Sequence, residues 1–188
     1  MQFTAAVIPP DVEIQKYLTS LHIDEWLRED VFRFKWWALL VMLLTAFILW
    51  WKLSDKARII EICVYTTLSI VMFLGIFEYG EELALWEYPV DIIAMFPPLS
   101  SINLLCFPLV YSLIYQHFGT WKTFMAATLV VTAALCFIIE PLLSAAGFYE
   151  LVRWKFYYSY PIYVAAAAGI RFMVVKFYSI MGKFTNKI

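Results

Sequence analysis

The sequence holds no catalytic signature: its 188 residues contain no GxSxG elbow, no Walker loop, no GxGxxG turn and no HExxH pair. The enzyme classes built on those motifs are excluded, and no cofactor is expected. Cysteine is sparse. Cys63, Cys106 and Cys136 fall inside apolar runs, without CxxC pairing or His/Cys metal spacing, so they read as buried free thiols. His22 and His117 have no second ligand at i+3 or i+4, so no metal site is expected. Charged residues make up only 15% of the chain and net to −1, which gives no basic field for nucleic acid. The start, MQFTAAVIPPDVEIQ, lacks a basic region followed by an apolar one, so the first hydrophobic run is expected to persist as an anchor.

What is abundant is apolar surface. Hydrophobic residues make up 63% and aromatic residues 19% of the chain, against about 45–50% apolar in soluble domains. A chain this short has too little interior to hide the excess, so lipid must cover it. The pattern predicts an all-α, polytopic transmembrane helix bundle of about five spans, preceded by an amphipathic surface helix.

Residues 1–34 form the N-terminal segment. From Asp11 to Phe34, Ile14, Tyr17, Leu18, Leu21, Trp26, Leu27 and Val31 recur at helical spacing opposite Lys16, Glu25, Arg28 and Glu29. This predicts one amphipathic helix or two short ones on the membrane surface, with Asp24 as N-cap of the second. The transmembrane domain, 35–180, is divided into spans at 36–52, 57–77, 98–117, 120–146 and 156–178. Tryptophan pairs bracket the first span about 22 Å apart at helical rise, marking both edges of the bilayer. Pro108 is expected to kink the third span and Gly147 to release the chain from the fourth. The stretch from Leu83 to Phe96 has too many charges to cross and is predicted to lie in the interface or re-enter. A basic tail, 181–188, closes the chain.

Five spans put the termini on opposite sides, and the lysines and arginines favour the N-terminus outside and the C-terminus in the cytoplasm. One layer then collects polar groups from separate helices. Glu78 ends the second span in an acidic loop with Glu81 and Glu82. Asn103 lies one turn into the third, and Glu140 near the exit of the fourth. Arg153, Trp154, Lys155, Tyr157 and Tyr158 open the fifth, and Trp86 and Asp91 come from the interfacial stretch. Each has a plainer reading. The glutamates can be solvated acids, Glu140 a packing lock paired with Arg153 or Lys155, Asp91 an N-cap, Asn103 an interhelical hydrogen bond, and the tyrosines an interfacial belt. On the other face, Glu61 and Arg171 are expected to pair or to snorkel. Small residues from Ala165 to Gly169 would let a second helix approach, as a homo-oligomer or a membrane protein partner.

The stretches LVYSLIYQHFGTWKTF (109–124), FIIEPLLSAAGFYELVRWKFYYSYPIY (137–163) and WEYPVDIIAMFPP (86–98) resemble an uncharacterised family of small multi-pass membrane proteins of endospore-forming Gram-positive bacteria. The resemblance runs from about Trp36 to Lys176. It implies a bacterial inner-membrane protein without established enzymatic activity. Three functions stand open. The first is binding of a membrane lipid, a small hydrophobic ligand or a protein partner through the polar layer, with Trp86, Asn103, Arg153, Trp154, Lys155, Tyr157 and Tyr158 as contacts. The second is intramembrane enzymology on a lipid or isoprenoid, with Glu140 as acid and Glu78 or Asp91 as its partner. The third is a small oligomeric transporter or conduit.

Overall fold

The structure, a computed structural model, describes residues 9–93 and 106–185. Among these residues the fold is all-α apart from one two-residue strand pair. The helices are α1 (Pro10–Glu25), α2 (Phe34–Leu53), α3 (Ile59–Glu82), α4 (Phe107–His117), α5 (Trp121–Ala145) and α6 (Phe156–Thr185). Strands β1 (Trp86–Glu87) and β2 (Glu150–Leu151) pair antiparallel, Trp86 opposite Leu151. Among the described residues four helices are long and apolar enough to cross a membrane: α2, α3 with its leading turn, α5, and α6 to Ile180. Of the expected span 98–117, only α4 and Cys106 are described. Asn103, the end of the interfacial stretch and residues 1–8 lie outside the described residues.

Helix α3 packs against both α4 and α6, α5 against α4 and α6, and α2 against α4. The reason is a stripe of i, i+4 positions on α3. Tyr65, Ser69, Phe73 and Phe77 share one buried face. Phe73 stacks on Tyr111 of α4 at 5.4 Å and meets Tyr163 of α6 edge-on at 5.5 Å. Such ring pairs add about 0.5–1.5 kcal/mol each beyond area burial.

The expected acidic loop is helix instead. Glu78, Glu81 and Glu82 occupy the last two turns of α3, because Gly80 does not break it. The helix ends at Glu82 with Leu83 as its cap, and Ala84 then takes φ 49°. There the N–H of Ala84 donates to the Glu81 carbonyl (2.8 Å) and that of Leu85 to the Gly80 carbonyl (2.9 Å). Helix α5 ends on the same hydrogen-bond pair, Gly147 to Ser144 and Phe148 to Leu143, with Gly147 at φ 72° as expected. A left-handed alanine costs about 1–2 kcal/mol that glycine avoids.

Other expectations change in detail. Asp24 caps nothing, because α1 runs through it to Glu25 and on into a single π-type turn, Trp26–Asp30. No α1 residue is buried, and Ile14, Tyr17, Leu18 and Leu21 are exposed. Pro108 is the second residue of α4, which directly follows Cys106 in a π-type turn, and the kink expected there turns on residues before Cys106 that lie outside the described ones. In each tryptophan pair of α2, one ring faces outward (Trp37, Trp51) and one inward. Trp36 donates to the Ile92 carbonyl (3.0 Å), and buried Trp50 donates to Ser112 Oγ (2.7 Å). Consecutive helical residues point about 100° apart, so a pair cannot face lipid together. Cys136 is buried as expected and Cys106 partly so, whereas Cys63 is exposed; all three are free thiols.

Glu61 and Arg171 do not pair. Arg58, three residues before Glu61 at the start of α3, takes the carboxylate through Nη2 (2.8 Å) and Nε (3.1 Å), and Tyr115 Oη also donates to it. Arg171 instead donates to the carbonyls of Phe118 (2.7 Å) and Gly119, with its guanidinium 4.4 Å from the Phe124 ring centroid. The cation thus ties α6 to the α4–α5 turn. Within the small-residue patch, Ala166 and Ala167 are already buried in the chain's own core, while Ala165 and Gly169 stay exposed.

Candidate functional site

The chain returns the end of α3, the end of α5 and the start of α6 to one end of the bundle. Trp86 pairs with Leu151, and the N–H groups of Val152 and Arg153 both donate to the Leu85 carbonyl at 3.0 Å. Lys35, at the start of α2, donates to the Gly147 carbonyl (2.9 Å). This end carries several of the expected polar residues, among those described. It divides into a buried centre, an aromatic ladder and a tethered loop.

Glu140 is the buried centre. Pro141 has no N–H, and its ring crowds the carbonyl four residues back. The helix answers with a π-type turn over Leu135–Ile139, in which the Glu140 N–H donates to the Leu135 carbonyl. Such turns recur at functional positions. Glu140 is 2% exposed. Tyr163 Oη donates to its Oε1 at 2.9 Å, and Oε2 has no partner among the described residues. Neither Arg153 nor Lys155 reaches it, since both are exposed, so the expected ion-pair lock is absent. Nor does Glu78 or Asp91 hydrogen-bond to it; Glu78 is half-buried on α3, and Asp91 belongs to the loop. Tyr88 and Tyr149, stacked at 5.2 Å, lie close enough to feel its charge. Burial first, and then the neighbouring charges, hold both hydroxyls protonated far above the ordinary tyrosine range.

A buried carboxyl with one partner makes Tyr163 a structural anchor. Tyr163→Phe is expected to cost about 1–3 kcal/mol, the penalty of an orphaned buried acceptor. The double variant Tyr163→Phe/Glu140→Leu should recover most of that loss in detergent melts, because both polar partners are then gone.

The aromatic ladder gathers four of the expected contacts. Trp86 meets Trp154 at 5.2 Å, Trp154 meets Tyr158 at 5.2 Å, and Tyr158 meets Tyr157 at 4.5 Å. Lys155 Nζ stands 5.8 Å from the Tyr157 ring centroid. Trp154 is fixed by its N–H bond to Ser159 Oγ (2.9 Å), whereas the buried Trp86 Nε1 has no partner among the described residues. Beside the ladder an apolar groove of about 590 Å³ runs between α3 and α6, with Gly75 and Gly80 among its walls and Trp86 and Trp154 at its β1–β2 end. The sequence marks neither glycine as a groove wall: Gly80 reads as a loop residue among three glutamates, and Gly75 falls in an apolar run. They mark where α3 lacks side chains, five residues apart and just ahead of a tryptophan.

The tethered loop holds Asp91, which is 3% exposed. Its carboxylate Oδ2 lies 3.5 Å from His22 Nε2 of α1, and its carbonyl accepts from Trp26 Nε1 (2.9 Å). It is therefore a docking point for α1; most of the segment that it is expected to cap lies outside the described residues. Burial first, and the nearby Asp30 carboxylate second, push its pKa up to about 7. Among the described residues no three His, Cys, Asp or Glu side chains gather to hold a metal ion. No protein-family model matches this chain, and neither a curated protein nor a solved structure matches it.

Proposed function

We propose that this chain is a multi-pass membrane protein, of a bacterial cell membrane with its N-terminus outside, that holds one lipid acyl chain in the α3–α6 groove. The observation that carries this is the groove itself. It is apolar, it opens along the outer faces of two membrane-crossing helices, and its β1–β2 end is built from tryptophans. The Trp86 N–H, which has no partner among the described residues, offers a donor to a lipid ester carbonyl at that end. Arg153 and Lys155, on either side of Trp154, are exposed and offer charge to a phosphate.

Gly75 supplies the test. A Cβ there meets nothing within 4 Å, so a larger side chain enters the groove without disturbing the helices. Gly75→Leu is expected to lower by one the lipids that co-purify per chain, counted by native mass spectrometry, with helical content unchanged. An unaltered lipid count would reject the groove as a binding site.

A further inference from the structure

A second hollow, of about 770 Å³, lies where the π-type turn after α1 meets the start of α2, away from the α3–α6 groove. Arg28, Arg33 and Lys35 line it together with Glu29 and Asp30. Opposite charges packed this closely normally pair. The described residues hold two ion pairs, His22–Asp91 and Arg58–Glu61, and neither involves these five side chains. Two of the three cations turn to backbone instead: Arg33 Nη2 donates to the Arg28 carbonyl (3.3 Å) and Lys35 Nζ to the Gly147 carbonyl (2.9 Å). Both signs of charge thus line one space without pairing with each other.

The hollow also lies at the start of α2, a helix long and apolar enough to cross a membrane. Phe32 and Phe34 are 70% and 86% exposed at the start of a membrane-crossing helix, and the tryptophan pair Trp36–Trp37 follows. Phe32 holds φ 61°, a conformation costly for a bulky residue, and this turns the chain so that Arg33 and Phe34 flank the space.

We infer that this hollow seats the zwitterionic phosphoester headgroup of a membrane phosphatidylethanolamine, with the phosphate on Arg28, Arg33 and Lys35 and the ammonium on Glu29 and Asp30. A ligand carrying both charges satisfies the two halves at once, whereas a purely anionic headgroup leaves two carboxylates facing its phosphate. A primary ammonium has three N–H donors for the carboxylates. A choline headgroup has none and prefers an aromatic cage, which these side chains do not form.

The test titrates the full-length protein in detergent with phosphatidylethanolamine, phosphatidylcholine, phosphatidylglycerol and soluble phosphoethanolamine, and follows binding by native mass spectrometry. Phosphatidylethanolamine should bind about tenfold more tightly than the other two lipids, the yield of one or two charge-assisted contacts. Glu29→Gln with Asp30→Asn should erase its advantage over phosphatidylglycerol. Arg33→Gln, or Arg28→Gln if the first variant loses helicity, should weaken both. Phosphatidylglycerol binding as tightly as phosphatidylethanolamine to the unaltered chain would overturn the assignment, and so would a preference that survives loss of the acids. Soluble phosphoethanolamine competing as tightly as the lipid would overturn the lipid source. Gly75→Leu should leave this preference intact, so the two sites fail or stand separately.

Discussion

Gly80→Ala is expected to unseat Trp86 and to destabilise the protein, reversing the sign that helix propensity alone would give. A Cβ at position 80 would stand 1.8 Å from Trp86 Cζ2 and 2.3 Å from both Cε2 and Cη2. The indole has no easy retreat. It is 5% exposed, it packs on Phe77 and Trp154, and its backbone is pinned by pairing with Leu151. Forcing an extra carbon into such a contact costs about 1–3 kcal/mol, and this overlap belongs at the upper end. In an open helical position the same change would gain up to about 1 kcal/mol. Gly75→Ala, five residues earlier in the same helix, is the control and should be neutral or stabilising. Thermal melts in detergent give the signs, and near-ultraviolet circular dichroism reports whether Trp86 has left its slot. A Gly80→Ala protein as stable as Gly75→Ala would mean that the β1–β2 corner does not sit on α3.

Stability should fall as pH rises from about 4 to about 7, and Asp91→Asn should remove that part of the dependence. In the folded chain the Asp91 carboxyl is held at about 7, against 3.8 when free. Between those values the unfolded chain has released the proton and the folded chain keeps it. The folded state therefore binds more protons, and stability drops with each step in pH until the folded group also ionises. About three pKa units correspond to ~4 kcal/mol as an upper bound. The groups that act on this carboxyl are Asp30, whose charge opposes ionisation, and His22, which favours it when protonated. The sensitive element is the attachment of α1. The measurement compares melts at pH 5.5 and 8.0 with hydrogen exchange in α1 and residues 86–93. The unaltered chain should be looser at pH 8.0, and in Asp91→Asn the difference between the two should shrink, most of all in α1. An identical pH slope in the variant would place the titration elsewhere.

The membrane-crossing helices were legible because their signal is long and local. The apolar runs alone located the starts of α2, α3, α5 and α6 to within two residues and the ends of α2 and α5 to within one, and Gly147 announced the left-handed turn that it makes. The end of α3 was not legible. A glycine among three glutamates reads as a loop, and only the indole arriving from Trp86 explains why that glycine belongs inside a helix. Partners were the hardest to foresee. Whether Glu140 meets Arg153 or Tyr163 depends on the rotation of two helices, which the π-type turn alters without a reliable mark beyond Pro141. The Arg58–Glu61 pair follows from i, i+3 spacing, whereas Arg171 shares only the expected depth of Glu61 and turns to the carbonyls of the α4–α5 turn. A groove is a gap between surfaces, so it leaves no motif at all.

The π-type turn at Leu135–Ile139 acts as an indexing notch. It amounts to a one-residue insertion, and removing one residue from it would swing everything beyond Ile139 by about 100°. Glu140 would then rotate from among the tyrosines toward hydrocarbon, Pro141 would fall inside a regular helix, and the strand partner of Trp86 would arrive out of step. The azimuth of the whole outer corner is thereby set by a single supernumerary residue.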